Sequence, residues 1–261
     1  MTDAFRLDGK IVVVTGAGGI IGSVITRTFL DAGARVFAID RHQDSLDKLG
    51  ISDSNLALVA ADISDPISIG AAHDKLVSYW GEADVLLNNA ATKTNNFFEP
   101  FETFPLADWN EIMGVNLTGA MLCSQTFGAP MAARGNGSIV NTLSIYGIVA
   151  PDQRIYEGSE YLGQSINTPA VYSASKAGLW GLTKYLATYW GRKGVRVNAV
   201  TPGGIFSGQN NAFVSKYADK VPLGRMASEE DMANAMLYLS SHAGKYVTGH
   251  NLVVDGGWTT W

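Results

Sequence analysis

Tyr172 and Lys176 stand four positions apart in a stretch whose apolar residues recur at helical spacing. Side chains at positions i and i+4 leave a helix on the same face, so the phenol and the ammonium are predicted to lie side by side. The ordinary pKa of a tyrosine is near 10, and a neighbouring cation stabilises the phenolate and lowers that pKa. The pair therefore predicts a tyrosine that exchanges a proton with a substrate oxygen, as interconversion of a ketone and an alcohol requires.

A hydroxyl is predicted beside this pair. Ser144 follows the run 138–143, which is apolar and β-branched enough to form a buried strand. Ligands of open α/β sheets bind beyond the carboxyl ends of the strands, so the Ser144 hydroxyl is placed to hold the substrate oxygen near Tyr172. Thr142, two residues earlier, offers an alternative hydroxyl.

A glycine-rich turn, Thr15 to Gly22, connects a β-branched strand at 11–14 to a predicted helix at 20–32. Glycines let such a turn approach a pyrophosphate closely, and the start of the helix offers free N–H groups and the positive end of its dipole. A glycine-rich turn without a ligand is the alternative. The second strand that follows at 35–40 completes a βαβ unit, and this context favours a dinucleotide site.

Asp40 ends the second strand, 18 residues after Gly22. A carboxylate at this place accepts hydrogen bonds from the adenosine ribose hydroxyls and repels the additional phosphate of NADP. Arg41 softens that repulsion in part, but the balance predicts NAD. Asp62 and Ile63, at the end of the third strand, are predicted to receive the adenine edge, although an aspartate there is often only a turn former.

The elements that must position these groups alternate between strand and helix along the whole chain. This order predicts an α/β fold: one Rossmann-type domain over 1–261, with a doubly wound, seven-stranded parallel sheet and helices on both faces. The segment 147–169 is irregular and is predicted to be either a functional lid or a mobile excursion. Strands are predicted near 11–14, 35–40, 56–61, 84–88, 137–143, 195–200 and 251–254, and helices near 20–32, 66–80, 107–133, 171–193 and 229–241.

Composition excludes several other classes of function. Of 261 residues, 46% are hydrophobic, and 19 basic residues against 24 acidic ones give a net charge of −5. An acidic chain without a basic run predicts neither a nucleic-acid partner nor an anionic membrane. No apolar run approaches the 18 residues that a bilayer span needs. The start of the chain lacks the pattern of a signal peptide, which predicts a cytoplasmic protein.

Sulfur and imidazole chemistry are not expected. Cys123 is the only cysteine, so no disulfide forms within the chain, and its apolar neighbours predict a buried, inert thiol. The histidines show no spacing of metal ligands, and no metal is predicted. These histidines are His42, His73, His242 and His250.

Taken in order, the motifs resemble those of the short-chain dehydrogenase/reductase family, and the resemblance extends over nearly the whole chain. It implies an NAD(P)-dependent oxidoreductase. Lys176 would also hold the nicotinamide ribose hydroxyls, and Asn116 would hold a water molecule that links Lys176 to solvent, or serve as a helix-kink residue. The motifs are Thr15 to Gly22, Asn88-Asn89-Ala90-Ala91, Asn116 within 115–119, Ser144, Tyr172 to Lys176, Pro202-Gly203 and the tail 246–257.

The resemblance and the residue chemistry together give two sets of site residues. Ser207 takes the place of a threonine in the family's Pro-Gly-x-Ile-x-Thr segment, which meets the nicotinamide carboxamide. The catalytic set is Asn116, Ser144, Tyr172 and Lys176. The cofactor set is Gly16, Gly19, Ile20, Ile21, Gly22, Asp40, Arg41, Asp62, Ile63, Asn89, Ala90, Ala91, Tyr172, Lys176, Pro202, Gly203, Ile205 and Ser207.

Two features depart from the shorter members of this family. Ile20 stands where their turn has its middle glycine, so the glycines at 16, 19 and 22 fit the pattern of the extended branch. Ser144 and Tyr172 are 28 residues apart, a wider gap than in the shorter branch. The inserted segment is similar to that of family members linked to bacterial surface-sugar and nonulosonic-acid biosynthesis.

The leading hypothesis is hydride transfer between NAD and a secondary alcohol or ketone, with a polar or sugar-like substrate and Tyr172 as general acid and base. A nucleotide-sugar epimerase or dehydratase with tightly bound NAD is an alternative, as is a non-catalytic NAD-binding sensor. The long apolar helices carrying Asn116 and Tyr172 predict a homo-oligomer, either a dimer or a tetramer.

Overall fold

A seven-stranded parallel sheet forms the centre of the protein in a computed structural model, which describes residues 3–161 and 163–261. The strands follow the predicted βα alternation, and the longest reaches two residues beyond its predicted end. They are β1 (Ile11–Thr15), β2 (Arg35–Asp40), β3 (Leu56–Ala60), β4 (Val85–Asn88), β5 (Gly137–Thr142), β8 (Val195–Pro202) and β9 (Asn251–Val254); β6 (Glu160–Tyr161) and β7 (Gln164–Ser165) form a separate antiparallel hairpin.

The strand order across the sheet is β3-β2-β1-β4-β5-β8-β9. The order reverses between β1 and β4, which pair through Val13 and Leu86. Helices leading away in opposite directions leave a crevice at this point, beyond the carboxyl ends of the strands. The predicted Rossmann fold is confirmed, and the glycine turn after β1 opens into that crevice.

Helices cover both faces of the sheet because consecutive strand residues point to opposite faces. Val12 and Val14 pack towards one layer, whereas Val13 packs towards the other. No helix within the described residues is long and apolar enough to span a membrane. The helices are α1 (Ile20–Asp31), α2 (Gln43–Asp47), α3 (Pro66–Tyr79), α4 (Leu106–Met113), α5 (Ala120–Cys123), α6 (Ala129–Arg134), α7 (Ala170–Gly191), α8 (Asn211–Ala218) and α9 (Glu229–Ser240).

The helix predicted over 107–133 is continuous but not uniform. Wider π-helical turns at Gly114–Gly119 and Ser124–Gly128 separate α4, α5 and α6. Such turns are often found at functional sites because they shift the side chains of one helical turn relative to the next. The first of them carries Asn116.

The irregular segment 147–169 is built from a 3₁₀ turn at Gln153–Tyr156 and the β6–β7 hairpin. It packs against α8, a helix that the sequence analysis did not predict. The ring of Tyr156 stacks on that of Phe213 with centroids 5.6 Å apart. The segment and α8 together form one wall beside the catalytic end of the sheet.

Candidate active site

Tyr172 and Lys176 lie on the first turns of α7, which begins directly after Pro169. The Lys176 ammonium is 5.8 Å from the centre of the Tyr172 ring. It also donates a hydrogen bond to the carbonyl oxygen of Thr142 at the end of β5, at 2.8 Å. This contact uses one of the three ammonium donors and fixes α7 to the sheet.

Burial governs the protonation of both groups. It raises the pKa of Tyr172, and a hydrogen bond with Ser144 opposes that change. Burial also lowers the pKa of Lys176, to about 8. The helical spacing predicted that the lysine lowers the pKa of the tyrosine. In this structure burial raises that pKa instead, so the neutral phenol is the favoured form.

Ser144 is buried and begins a short 3₁₀ turn, Ile145–Gly147. Its hydroxyl oxygen accepts a hydrogen bond from the N–H of Tyr146 at 3.2 Å. This hydroxyl also lies close enough to Tyr172 to lower the pKa of the phenol, so a substrate oxygen placed between the two groups would be held by both.

Asn116 joins a loop to a helix through its side chain, which is almost fully buried. Its Oδ1 accepts a hydrogen bond from the N–H of Thr92 at 3.0 Å, and its Nδ2 donates to the Ser175 hydroxyl at 3.2 Å. Ser175 in turn donates to the carbonyl of Tyr172 at 2.8 Å. The side chain therefore connects the segment after β4 to the helix that carries the tyrosine.

Two glycines of the turn are required by close backbone approach. Gly16 has a φ of +66°, and a Cβ there would lie 2.7 Å from the Cα of Ala90. A Cβ on Gly22 would lie 2.0 Å from the carbonyl oxygen of Gly16. No side-chain hydrogen bond caps α1 at Gly19. The turn is thus compact, and the first N–H groups of α1 stay available for an anion.

Asp40 is tied to this turn by its carboxylate. One oxygen accepts a hydrogen bond from the N–H of Gly18 at 3.1 Å and the other from the N–H of His42 at 3.2 Å. Arg41 points to Asp62, with 3.4 Å between Nε and Oδ2. The guanidinium that was expected to soften the charge of Asp40 is therefore directed to another carboxylate.

Asn89 stabilises the glycine turn through hydrogen bonds to its backbone. Its amide nitrogen donates to the carbonyl oxygens of Thr15, at 3.2 Å, and Gly16, at 3.3 Å. The small residues that follow, Ala90 and Ala91, line a cavity of about 150 Å³ beside Asp40. The side chain of Asn89 is used in holding the turn, whereas the two alanines leave room for a ligand.

Most of the predicted cofactor residues line one of two cavities on either side of the glycine turn. The smaller one is the cavity beside Asp40, and the larger has a volume of about 320 Å³. The smaller is lined by Gly16, Asp40, Arg41, Asp62, Ile63, Ala90 and Ala91. The larger is lined by Ile20, Ile21, Ser144, Tyr172, Pro202, Gly203, Ile205 and Ser207. The remaining predicted residues line neither cavity; they are Gly19, Gly22, Asn89, Asn116 and Lys176.

The larger cavity is also lined by residues outside the catalytic and cofactor sets. Lys93 and two phenylalanines come from the loop after β4, and Phe213 comes from α8. Gln209 accepts a hydrogen bond from the Ser207 N–H at 2.8 Å and donates to the Ser207 hydroxyl at 3.1 Å. Lys93 stands two residues after the strand-end motif Asn88-Asn89-Ala90-Ala91. This position was the signal from which its place in the cavity wall could have been inferred.

An NAD(P) molecule fits these features. The uncapped start of α1 and the missing Cβ of Gly16 make room for a pyrophosphate, Asp40 faces the cavity for the adenosine, and the larger cavity reaches Tyr172. No group of three or more potential metal-ligating side chains occurs within residues 3–161 and 163–261. The thiol of Cys123 is buried as predicted, and burial raises its pKa to about 12.

Known proteins with similar sequences are described as reductases or dehydrogenases. A family model described as enoyl-(acyl carrier protein) reductase matches residues 16–259. D-threitol dehydrogenase of Mycolicibacterium smegmatis is 34% identical over 264 residues, with 98% of this chain and 95% of that protein covered. Galactitol 2-dehydrogenase (L-tagatose-forming) of Cereibacter sphaeroides is 35% identical over 268 residues, with 98% of each chain covered.

Solved structures agree over the full length. A short-chain dehydrogenase from Leptospira borgpetersenii with bound NAD⁺ superimposes with a TM-score of 0.88 at 35% identity, covering 99% of this chain and 96% of that one. The chain belongs to the short-chain dehydrogenase/reductase family. A gluconate 5-dehydrogenase of this fold from Burkholderia cenocepacia, in complex with NADP and tartrate, gives 0.84 at 29% identity, with coverages of 99% and 98%. This short-chain dehydrogenase/reductase is thus an NAD(P)-dependent oxidoreductase that acts on a secondary alcohol or its ketone.

Proposed function

We propose that the protein oxidises a secondary hydroxyl of a polyol or sugar-like compound with NAD, by way of Tyr172, Ser144 and Lys176. The observation that carries this proposal is the position of Tyr172. Its ring lines the 320 Å³ cavity, its hydroxyl meets Ser144, and Lys176 stands behind it. The polyol names of the two relatives support the substrate class.

Each proposed catalytic residue has a separate role at the substrate oxygen. Tyr172 takes the hydroxyl proton during oxidation and returns it during reduction. Ser144 holds the same oxygen, and Lys176 adds positive charge that favours the phenolate when the proton has left. A nicotinamide cofactor bound beside these residues would accept or supply the hydride. Asn116 keeps the loop after β4 and α7 in register around these groups.

NAD is the proposed cofactor. The Asp40 carboxylate faces the adenosine side of the turn, and Arg41 is paired with Asp62 and lies 4.0 Å from Glu111. A ribose with an additional phosphate would meet the negative charge of Asp40 with little compensation from Arg41. The known structures with NAD⁺ and with NADP show that the family uses both, so the assay must compare them.

The experiment is a steady-state assay at 340 nm with D-threitol, galactitol and D-glucitol, using NAD and NADP in parallel. The wild type is expected to form reduced cofactor over many turnovers with at least one polyol, and more efficiently with NAD. Tyr172→Phe keeps the ring that packs edge-on against Phe97 at 6.2 Å but removes the hydroxyl. Its kcat should fall roughly 10²- to 10⁴-fold, the usual contribution of general acid–base catalysis.

Unchanged activity of Tyr172→Phe would contradict the catalytic role of this residue. Net reduction of free NAD would exclude the epimerase or dehydratase hypothesis, in which the cofactor is regenerated within each turnover. Binding of NAD without turnover of any alcohol or ketone would favour the sensor.

We also propose that the protein forms a homo-oligomer in the cytoplasm. Tyr185 and Tyr189 on α7 are exposed by 61% and 56%, with their rings stacked 5.6 Å apart. Paired exposed aromatics on a long helix are typical of an interface between subunits. The single cysteine, which leaves no disulfide within the chain, fits a reducing compartment.

A further inference from the structure

One charged side chain stands among the residues that line the larger cavity. Lys93 is the only side chain among its described lining residues that bears a full charge at neutral pH. The other lining residues are aliphatic, aromatic, hydroxyl-bearing, amide-bearing or glycine, and none is a carboxylate. Lys93 belongs neither to the proposed catalytic set nor to the cofactor set, so its presence needs a separate explanation.

Three aromatic rings surround the ammonium of Lys93. It lies 5.2 Å from the ring centre of Tyr161, 5.6 Å from that of Phe97 and 5.7 Å from that of Phe98. Cation–π attraction holds a cation at such distances. The apolar surroundings lower the pKa of Lys93, and no carboxylate within the described residues opposes this effect. Lys93 as a whole residue is exposed to solvent.

Phe97 connects this cation to the proton-transfer group. Its ring is 5.6 Å from the Lys93 ammonium on one side and meets the Tyr172 ring at 6.2 Å on the other. The ammonium is therefore no farther than about 12 Å from the centre of the Tyr172 ring. A small substrate can reach both groups at once.

Building on the proposed polyol oxidation, we propose that the substrate is a polyhydroxy compound that carries an anionic group, a carboxylate or a phosphate, which pairs with Lys93 while a hydroxyl meets Tyr172. A hydroxyl of a neutral polyol can accept a hydrogen bond from the Lys93 ammonium, but it brings no opposite charge to compensate for the water that the cation loses. An anion offsets that loss and forms the stronger type of hydrogen bond. The lysine ammonium is a compact point charge, so it can pair with a carboxylate or with a phosphate.

The test uses three compounds with the same six-carbon chain: D-gluconate, D-glucitol 6-phosphate and neutral D-glucitol. Their dissociation constants are measured by isothermal titration calorimetry in the presence of NADH, for wild type, Lys93→Met and Lys93→Arg. The matched control is Lys193→Met, because Lys193 also lies over an aromatic ring, 5.4 Å from Tyr189, but outside the cavity. Circular dichroism checks that each variant is folded.

We expect the wild type to bind at least one anion ten times more tightly than D-glucitol. The two anions reveal whether the site prefers a carboxylate or a phosphate. Lys93→Met should reduce that ratio at least tenfold, whereas Lys93→Arg and Lys193→Met should retain it. The ratio should also fall as salt rises, because the pair is partly exposed.

Equal binding of the three compounds by the wild type would overturn the proposal, as would an unchanged ratio in Lys93→Met. Lys93-dependent anion binding with no oxidation of any alcohol would instead refute only the proposed polyol oxidation. Oxidation of neutral polyols without an anion preference would refute only the role of Lys93.

Discussion

Burial acts in opposite directions on the pKa values of the two ionisable groups on α7, and in both cases it favours the neutral form. The spacing of Tyr172 and Lys176 predicted their proximity correctly, because the i, i+4 geometry of a helix is local. It could not predict the loss of solvent, which comes from residues far away in the chain. Ser144 and the carbonyl of Thr142 belong to β5 and its continuation, yet they are direct partners of this pair.

The low pKa of Lys176 makes stability depend on pH. Between about pH 8 and 10.5 the unfolded lysine keeps a proton that the folded one has lost. Unfolding then takes up a proton, so the free energy of unfolding rises with pH in this window. Lys176→Met lacks this dependence. The stability of the wild type relative to Lys176→Met should thus improve by on the order of 2–3 kcal/mol between pH 7.5 and 10.5.

Urea unfolding followed by tryptophan fluorescence at several pH values measures this difference. Exposed Lys193→Met serves as a control that should follow the wild type across the range. Parallel curves for wild type and Lys176→Met would show that the folded lysine is not desolvated as the structure indicates.

Among the elements, the glycine turn and the strands around it were predictable because their signals are local. A β-branched run, closely spaced glycines and a following amphipathic stretch identify β1, the turn and α1 without knowledge of the rest. The π-helical turns were not predictable, since they depend on how α4 to α6 pack against α7. The missed helix α8 had a local signal: Asn210 caps it, accepting a hydrogen bond from the Phe213 N–H at 3.1 Å.

The turn itself can be tested by adding a single methyl group. Gly22→Ala would place its Cβ against the Gly16 carbonyl and 2.8 Å from the Cα of Ala17, and backbone atoms cannot move aside as a flexible side chain can. We expect a loss of stability of about 1–3 kcal/mol, as for other overpacked sites, and at least tenfold weaker NAD binding. Thermal unfolding and fluorescence titration with NADH measure the two effects.

Gly70→Ala is the matched control. It lies within α3, and a Cβ there would meet nothing within 4 Å. Because alanine has a higher helix propensity than glycine, this variant should gain up to about 1 kcal/mol and bind NAD normally. Similar NAD affinities for Gly22→Ala and Gly70→Ala would refute the claim that the turn requires glycine at 22.

At the scale of the whole molecule, the doubly wound parallel sheet and both helical layers could be predicted because an alternating βα pattern permits few topologies. The individual side chains that meet in the larger cavity could not. Lys93 follows β4, Tyr161 lies in the hairpin and Phe213 lies on α8, and no pattern in the sequence shows that these three residues line the same cavity. The prediction of a lid at 147–169 remains a prediction; the structure places this segment as a wall packed against α8.

The assembly prediction also belongs to this scale. Analytical ultracentrifugation of the wild type should show a dimer or a tetramer at micromolar concentration. The double variant Tyr185→Ser/Tyr189→Ser removes the exposed ring pair on α7 and should shift the equilibrium towards smaller species. A matched double variant, Tyr79→Ser/Tyr246→Ser, changes exposed tyrosines elsewhere and should not. A monomeric wild type would refute the prediction.

The wall formed by 147–169 and α8 has a consequence for evolution. Its described residues contribute no strand to the central sheet, and it contains no member of the proposed catalytic set. Exchange of this segment between related genes can therefore alter which alcohol is accepted while the inherited proton chemistry stays in place. Such grafts offer a direct route to redesigned specificity, and the boundaries Gly147 and Pro169 mark where the recombined pieces should join.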